Sequence, residues 1–229
     1  GPKTNFVGSM LISNDAGTGT LDAASNNTGF GNEVFDDLTS GDDNTGVGAQ
    51  ALAKLTTGGE NTAVGTNALD ANTTASLNTA VGSKALTANT TGASNVAIGR
   101  EALAANTTAN DNVAVGKHSL RANTTGHSNV AVGKDALLAN TTGNTNTAVG
   151  GRALQTNTTG DRNTAVGFQS LALLNPSSNA DMYNTALGYN SGASVTTGTN
   201  NTLIGGLAGD ALTTGSSNTA VGKDALGSG

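Results

Sequence analysis

The sequence predicts an all-β protein, a parallel β-solenoid (β-roll) built from about twelve coils of 17 residues each. Three observations lead to this prediction. A motif Asn-x-x-x-Gly recurs along most of the chain, each repeat contains a short alternation typical of a strand, and the composition combines 33 Gly and only 2 Pro with 11% charged residues. A repeat this short excludes helix-pair repeats, which need about 33 residues or more.

The repeat defines both the register and the domain organisation. Its twelve asparagines are Asn27, Asn44, Asn61, Asn78, Asn95, Asn112, Asn129, Asn146, Asn163, Asn184, Asn201 and Asn218. Every interval is 17 residues except the one of 21 residues between Asn163 and Asn184. We number the positions of each coil from this asparagine, and the central unit reads N-T-A-V-G-x-x-A-L-x-A-N-T-T-G-x-x. Residues 27–229 are therefore predicted to form the solenoid, and residues 1–26 an N-terminal cap or lead-in, with Phe6, Val7, Met10, Leu11 and Ile12 covering the first coil.

Positions 2 to 5 carry the strand and a corner. Position 2 is Thr or Val and position 4 is apolar, as in Thr62 and Val64, and this alternation predicts a strand. Position 3 is Gly or Ala in eleven of the twelve coils, the exception being Leu203. We expect the position-4 valine and the position-9 leucine to form a thin core, and the small-residue face to be covered by a second chain or a second wall. Position 5 is always Gly, which predicts a positive φ or a close backbone approach at a corner.

Position 12 predicts a ladder of inward-facing amides. It is apolar at both ends of the array, as in Leu38, Leu55, Leu174, Val195 and Leu212. Between these ends it is Asn in six successive coils: Asn72, Asn89, Asn106, Asn123, Asn140 and Asn157. A position that accepts Leu on both sides of the array is expected to face inward, where stacked amides can hydrogen-bond from coil to coil. The alternative is a turn position at which Asn only tolerates left-handed geometry.

The repeat also resembles known fibrous surface proteins. N-T-A-V-G-x-x-A-L resembles the head repeats of trimeric autotransporter adhesins, whose unit has the form N-S-V-A-I-G-x-x-S, and the longer form A-L-x-A-N-T-T-G-x-x-N-T-A-V-G resembles shaft repeats of phage tail-fibre-like proteins. The resemblance runs from about Asn27 to the C-terminus. It implies a left-handed roll, three chains around one axis, and an extracellular location on a cell surface or a virion. This unit is longer than the coil that is usual in the adhesin family.

These features predict a structural or adhesive fibre segment that presents, or contributes to, receptor binding. The expected partners are two further copies of the chain and a cell-surface glycan or protein. The candidate receptor contact is the coil that begins at Asn163, because it has four extra residues and lies among three of the six aromatic side chains. The candidate residues are Phe168, Pro176, Met182, Tyr183 and Tyr189. Phe168 and Tyr189 share position 6 and are expected to stack; the alternative is a tolerated insertion with incidental aromatics.

Ice binding is the alternative function, because regular threonine arrays on flat solenoids resemble ice-binding proteins. The array here lies at position 13: Thr73, Thr90, Thr107, Thr124, Thr141 and Thr158. Each of these is followed by a second Thr. Since neighbouring side chains in a strand point to opposite faces, the pair does not present two hydroxyls on one surface.

Nothing in the sequence favours an enzyme, a cofactor or a metal site. His118 and His127 lie at variable positions 7 and 16, which predicts surface residues, and the chain has no Cys. A net charge of −6 argues against a nucleic-acid partner. No apolar run approaches the ~20 residues that a membrane span needs, so no membrane insertion is expected. The opening Gly1-Pro2 is typical of the scar of a cleaved tag, which suggests an excised segment.

Overall fold

A computed structural model describes residues 10–12 and 23–227 of the chain. Within β1 (Met10–Ile12) only the backbone is described. Phe6 and Val7, which were expected to cover the first coil, lie outside the described residues. The chain divides into two compact units, residues 1–111 and 112–229.

Every strand is short. After β1, the first unit contains β2 (Thr28–Phe30), β3 (Thr45–Val47), β4 (Thr62–Val64), β5 (Thr79–Val81) and β6 (Val96–Ile98). The second unit contains β7 (Val113–Val115), β8 (Val130–Val132), β9 (Thr147–Val149), β10 (Gly160–Asp161), β11 (Thr164–Val166), β12 (Ala180–Asp181), β13 (Thr185–Leu187), β14 (Thr202–Ile204) and β15 (Thr219–Val221). Strands of the repeat occupy positions 2 to 4, as the alternation predicted.

Within each unit, the strands of successive coils pair in parallel. Thr62 of β4 lies opposite Thr79 of β5, and Thr202 of β14 lies opposite Thr219 of β15, so that equal positions of neighbouring coils face each other. The four extra residues do not disturb this register, because Thr164 still pairs with Thr185. The predicted parallel β-solenoid is confirmed: the described residues contain no helix and make about eleven turns of roughly 17 residues, where about twelve were predicted.

The expectation about the two faces of the strand was wrong. The position-3 residue points into the coil, so that Ala63, Ala114 and Ala165 are fully buried. The position-4 residue points outward, where Ile98 is 40% exposed and Leu187 is 47% exposed. Alternation defines two faces of the strand but does not show which face is buried. Only a small side chain fits inside at position 3, because leucine and asparagine side chains from the rest of the coil already fill the interior.

Exceptions at position 3 show how tightly the interior is filled. Where position 3 is Leu203, position 9 is glycine in the same coil and in the preceding one: a Cβ on Gly192 or on Gly209 would lie 2.7 Å from a Leu203 methyl carbon. Where position 9 is Phe35, position 3 of the next coil is glycine, and a Cβ on Gly46 would lie 3.2 Å from the Phe35 ring. Positions 3 and 9 therefore fill the same space, and a larger side chain at one position is accompanied by a smaller one at the other.

Two positions carry unusual backbone geometry. The eight leucines of position 9, from Leu52 to Leu171, all have φ between 48° and 54° and are all fully buried. This left-handed conformation costs a leucine roughly 1 kcal/mol, which its burial offsets. The position-5 glycines have φ between 124° and 146°, and a Cβ on Gly133 would lie 2.6 Å from the Gly150 backbone. The positive φ and the close backbone approach that were predicted for this glycine are therefore both present.

Candidate functional site

The outward face of the repeat strands, which we call the outer face, consists of positions 2 and 4 of every coil. All 24 of these residues are Thr or apolar, and none is charged. Position-2 side chains are half-buried or exposed, and large apolar groups of position 4, such as Phe30 (58%) and Ile98, are open to solvent. Isolated exposed apolar residues are ordinary, but a regular double column that continues through each unit is typical of a contact surface.

The six position-12 asparagines lie inside the coils, as predicted, and all are fully buried. In the first unit, the side-chain amide of Asn89 donates to Asn72 Oδ1 at 3.2 Å, and Asn106 donates to Asn89 Oδ1 at 2.8 Å. In the second unit, Asn140 donates to Asn123 Oδ1 at 2.8 Å and Asn157 to Asn140 Oδ1 at 3.3 Å. These bonds satisfy amides that would be costly to bury alone, which indicates a structural role.

A second buried ladder, at position 1, was missed by the sequence reasoning. Asn44 is fully buried; its Nδ2 donates to Asn27 Oδ1 at 3.0 Å and to the Gly58 carbonyl at 2.9 Å. Its backbone N–H also donates to Asn27 Oδ1, at 2.9 Å. The same pattern continues within each unit, as in Asn163 against Asn146. The signal was present, since Asn stands at this position in all twelve coils, but it was used only to mark the repeat.

The inserted segment corrects two of the predicted receptor-binding residues. Pro176 is buried and Met182 is only 1% exposed, so neither can contact a receptor. Both lie against Gly160, where a Cβ would be 3.1 Å from the Met182 Cγ and 3.1 Å from the Pro176 Cγ. The insertion thus folds its two apolar side chains back against the neighbouring coil. The short pair β10–β12 continues the parallel pairing along the insertion.

Tyr183, which is 51% exposed, belongs to a polar cluster on the surface. Arg162 donates to Asp181 and, at 2.9 Å, to the Tyr183 hydroxyl, and its guanidinium lies 5.6 Å from the Tyr183 ring centroid. The Tyr183 hydroxyl donates to Asp181 at 3.2 Å. The hydrogen bond with Tyr183, and next the charge of Asp181, raise the pKa of Arg162 above its usual value. The cluster links two successive coils. The Arg162 guanidinium covers one side of the Tyr183 ring.

Phe168 and Tyr189 form the predicted stack. Their ring centroids are 5.9 Å apart with an interplanar angle of 11°, and the side chains are 44% and 58% exposed. Together with Tyr183, this pair is therefore the part of the predicted receptor contact that is open to solvent. Phe168 and Tyr189 follow the position-5 glycine, after the C-terminal ends of their strands. Tyr183 precedes the position-1 asparagine, before the N-terminal end of its strand. The two groups flank opposite ends of the same strands and do not form one site.

The position-13 threonines use their hydroxyls within the solenoid. Thr90 Oγ1 donates to the Thr107 carbonyl at 3.0 Å, and Thr141 Oγ1 donates to the Thr158 carbonyl at 3.0 Å. Thr158 Oγ1 donates to Asn175 Oδ1 at 2.7 Å. All six of these threonines are half-buried. Because these hydroxyls donate to the next coil, the position-13 array is poorly placed to bind the water molecules of an ice lattice.

Polar side chains of position 7 form hydrogen bonds from coil to coil. Gln50 donates to Glu33 at 2.7 Å and Asn67 donates to Gln50 at 2.7 Å. His118 is half-buried rather than fully at the surface as expected, with Nδ1 3.2 Å from Asp135 Oδ1. His127 is exposed, as expected.

Within the described ranges, no group of three or more His, Asp or Glu side chains is placed to hold a metal ion. The same ranges contain no helix with the length and apolar character of a membrane span.

Comparison with protein-family models, with curated proteins and with solved structures finds no match for this chain.

Proposed function

We propose that the chain is a structural and adhesive fibre segment, of a phage tail fibre or a bacterial surface adhesin, that associates with two further copies of itself through the outer face. The observation that carries this proposal is the uncharged double column of Thr and apolar side chains along the strands. Exposed apolar area on a repeating surface is stabilised by burial against a partner with the same repeat.

The thin interior supports the same proposal. Position 3 contributes only a methyl group in most coils, and position 9 contributes a single leucine. Covering the outer face would add the side chain of position 4 to the buried surface of every coil. Val64 is 36% exposed, so association would bury the remaining exposed part of such a side chain in each coil. Burying a fully exposed valine contributes about 1.5–3 kcal/mol, and the gain for these partly covered side chains is correspondingly smaller.

The proposed role is non-enzymatic and extracellular. Associated copies would form a stiff support that displays the insertion coil and the Phe168–Tyr189 pair three times. Three weak contacts on one support give avidity that a single contact cannot reach. The insertion is compatible with this role because it keeps the register of the strands.

Light scattering after size exclusion tests the proposal. A mass near three times 22.2 kDa is expected, and a mass near 22.2 kDa would overturn the association. Val149→Glu places a carboxylate in the middle of the outer face and is expected to shift the mass to that of one chain. Thr125→Glu is the matched control, because Thr125 is exposed at position 14, away from the outer face.

Ice binding is a second candidate, and the outer face gives it a specific basis. Threonine at position 2 and valine at position 4 lie on one face, two residues apart, at a coil spacing of about 4.8 Å. This face has the geometry that the position-13 threonines lack. Thermal hysteresis of a single-chain species would support ice binding, and its absence would remove this candidate.

A further inference from the structure

Position 6 of the second unit carries an unusual series of residues. From coil to coil it reads Lys117, Lys134, Gly151, Phe168, Tyr189, Gly206 and Lys223. The two aromatic rings stack on each other, and a glycine flanks the pair on each side. Each ring therefore has one face towards its partner and one face towards a coil that has no side chain at this position.

The two flanking glycines, Gly151 and Gly206, differ in the atoms that lie next to them. A Cβ on Gly151 would lie 3.3 Å from the Phe168 ring, so that ring already covers its glycine. A Cβ on Gly206 would meet only the Tyr189 carbonyl oxygen, at 4.0 Å. The space over Gly206 is open, and Tyr189 beside it is 58% exposed. The stack thus leaves one slot, with the Tyr189 ring as its wall and Gly206 as its floor.

The coil beyond Gly206 carries a polar and electrically balanced pair. Lys223, at position 6 of the next coil, lies with Nζ 3.1 Å from Asp224 Oδ2, and both side chains are largely exposed. The pair offers hydrogen-bond donors and acceptors without net charge. An aromatic wall opposite a balanced polar pair matches a ligand that has an aliphatic C–H face and a rim of neutral hydroxyls.

We propose that the slot over Gly206 binds one pyranose ring of a neutral glycan, stacked on Tyr189. This inference rests on the proposed adhesive function and names the receptor class of its contact. An acidic glycan is disfavoured because Asp224 neutralises Lys223, and a nucleic acid is disfavoured by the net charge of −6. A protein hot spot needs a side chain buried in a well-packed pocket, whereas this slot is a shallow wall and floor.

Tyrosine fluorescence reports on this site directly. The chain has no Trp and only two tyrosines, so Tyr183→Phe leaves Tyr189 as the single emitting tyrosine. We would titrate this variant with cellohexaose, maltohexaose and mannohexaose into the millimolar range. A saturable change in emission with at least one neutral oligosaccharide is expected. No saturable change with any of the three would overturn the proposal.

Filling the slot provides the decisive variant. Gly206→Thr, made in the Tyr183→Phe background, is expected to weaken binding roughly tenfold or more, because the side chain occupies the space of the sugar. The fold should tolerate it, since Thr66 stands at the same position of another coil and Gly206 has no close neighbour. Ser83→Thr is the matched control at position 6 and should leave binding unchanged. Binding that survives Gly206→Thr would place the ligand elsewhere and overturn the proposal.

Two further probes decide the ligand class. A response to trigalacturonate that exceeds the neutral sugars would overturn the neutral assignment. A response to the peptide Gly-Leu-Phe-Gly with none to the glycans would point to a protein partner and also overturn it. Light scattering on the same samples reports the association separately, so loss of the trimer and loss of glycan binding are distinguishable.

Discussion

Asn78 and Asn89 donate to the same oxygen atom, the carbonyl of Gly92, at 2.9 and 2.8 Å. Asn78 stands at position 1 of its coil and Asn89 at position 12, so this carbonyl joins the two buried amide ladders. The relationship recurs within the units, for example at Ala75, whose carbonyl accepts from Asn61 and Asn72. It explains how a coil with little apolar volume can bury two asparagines: each amide has a fixed partner in its own coil and another in the coil beside it.

Breaking the position-12 ladder should destabilise the coil even when the replacement fits. Asn89→Leu is sterically acceptable, because Leu55 and Leu174 occupy the same position, but it removes partners from Asn72 and Asn106. We expect a loss of about 1–3 kcal/mol in urea unfolding. Asn89→Asp should cost more, because it buries a charge. Thr91→Ala, at an exposed position, is the control and should change stability by less than about 0.5 kcal/mol.

The shared volume of positions 3 and 9 predicts a rescue. Leu203→Ala should destabilise by about 2–5 kcal/mol, since it leaves a cavity between Gly192 and Gly209. Gly209→Leu alone should also destabilise, because its side chain would collide with Leu203. The double variant should recover much of the loss, since leucine with φ near 50° is the ordinary residue of position 9. A double-mutant cycle from urea unfolding measures this, and additive effects would contradict the shared volume.

Two glycines at neighbouring positions of the repeat, 5 and 6, should respond oppositely to alanine. Gly133→Ala requires a Cβ 2.6 Å from backbone atoms of Gly150 at φ 136°, and we expect a loss of at least about 3 kcal/mol or failure to fold. Gly206→Ala places a methyl group in open space and should be neutral or stabilise by up to about 1 kcal/mol. Thermal unfolding followed by circular dichroism compares the two. Equal changes in stability for the two variants would mean that the backbone at the position-5 corner can shift to accommodate the added Cβ.

Self-association through the outer face predicts unfolding that depends on concentration. The melting temperature of the chain should rise with protein concentration, because the partner binds only the folded state. Val149→Glu should remove this dependence, and Thr125→Glu should retain it. Calorimetry over a hundredfold range of concentration tests the prediction. A melting temperature that is constant for the parent chain would contradict association.

The buried residues of the insertion should contribute more stability than its surface ion pair. Met182 is almost fully buried, and Met182→Ala should cost about 2–5 kcal/mol in urea unfolding. Arg162→Ala should cost clearly less than Met182→Ala, because Arg162 and Asp181 are about half-exposed and their attraction is screened by water and salt. The reverse order would mean that the polar cluster holds the insertion in place.

Parts of the candidate site followed from the sequence because they depend only on position within the repeat. Phe168 and Tyr189 share position 6, so equal spacing was enough to predict their contact. Met182 and Pro176 were misplaced because the insertion has no repeat of its own. Whether its apolar side chains point outward or inward depends on the space beside Gly160, which sequence spacing does not report. The position-1 ladder was missed because an invariant asparagine fits a turn equally well.

The sequence by itself determined the period, the parallel register and the columns of equal residues, because a constant spacing of 17 residues brings like positions together in successive coils. Only the tertiary structure decided which face of each strand is inside. Alternation with a period of two defines two faces and is silent about which one is buried. The choice is made by volume: Leu69 and Asn72 already fill the coil, so Ala63 fits inside and Val64 is directed to the outer face.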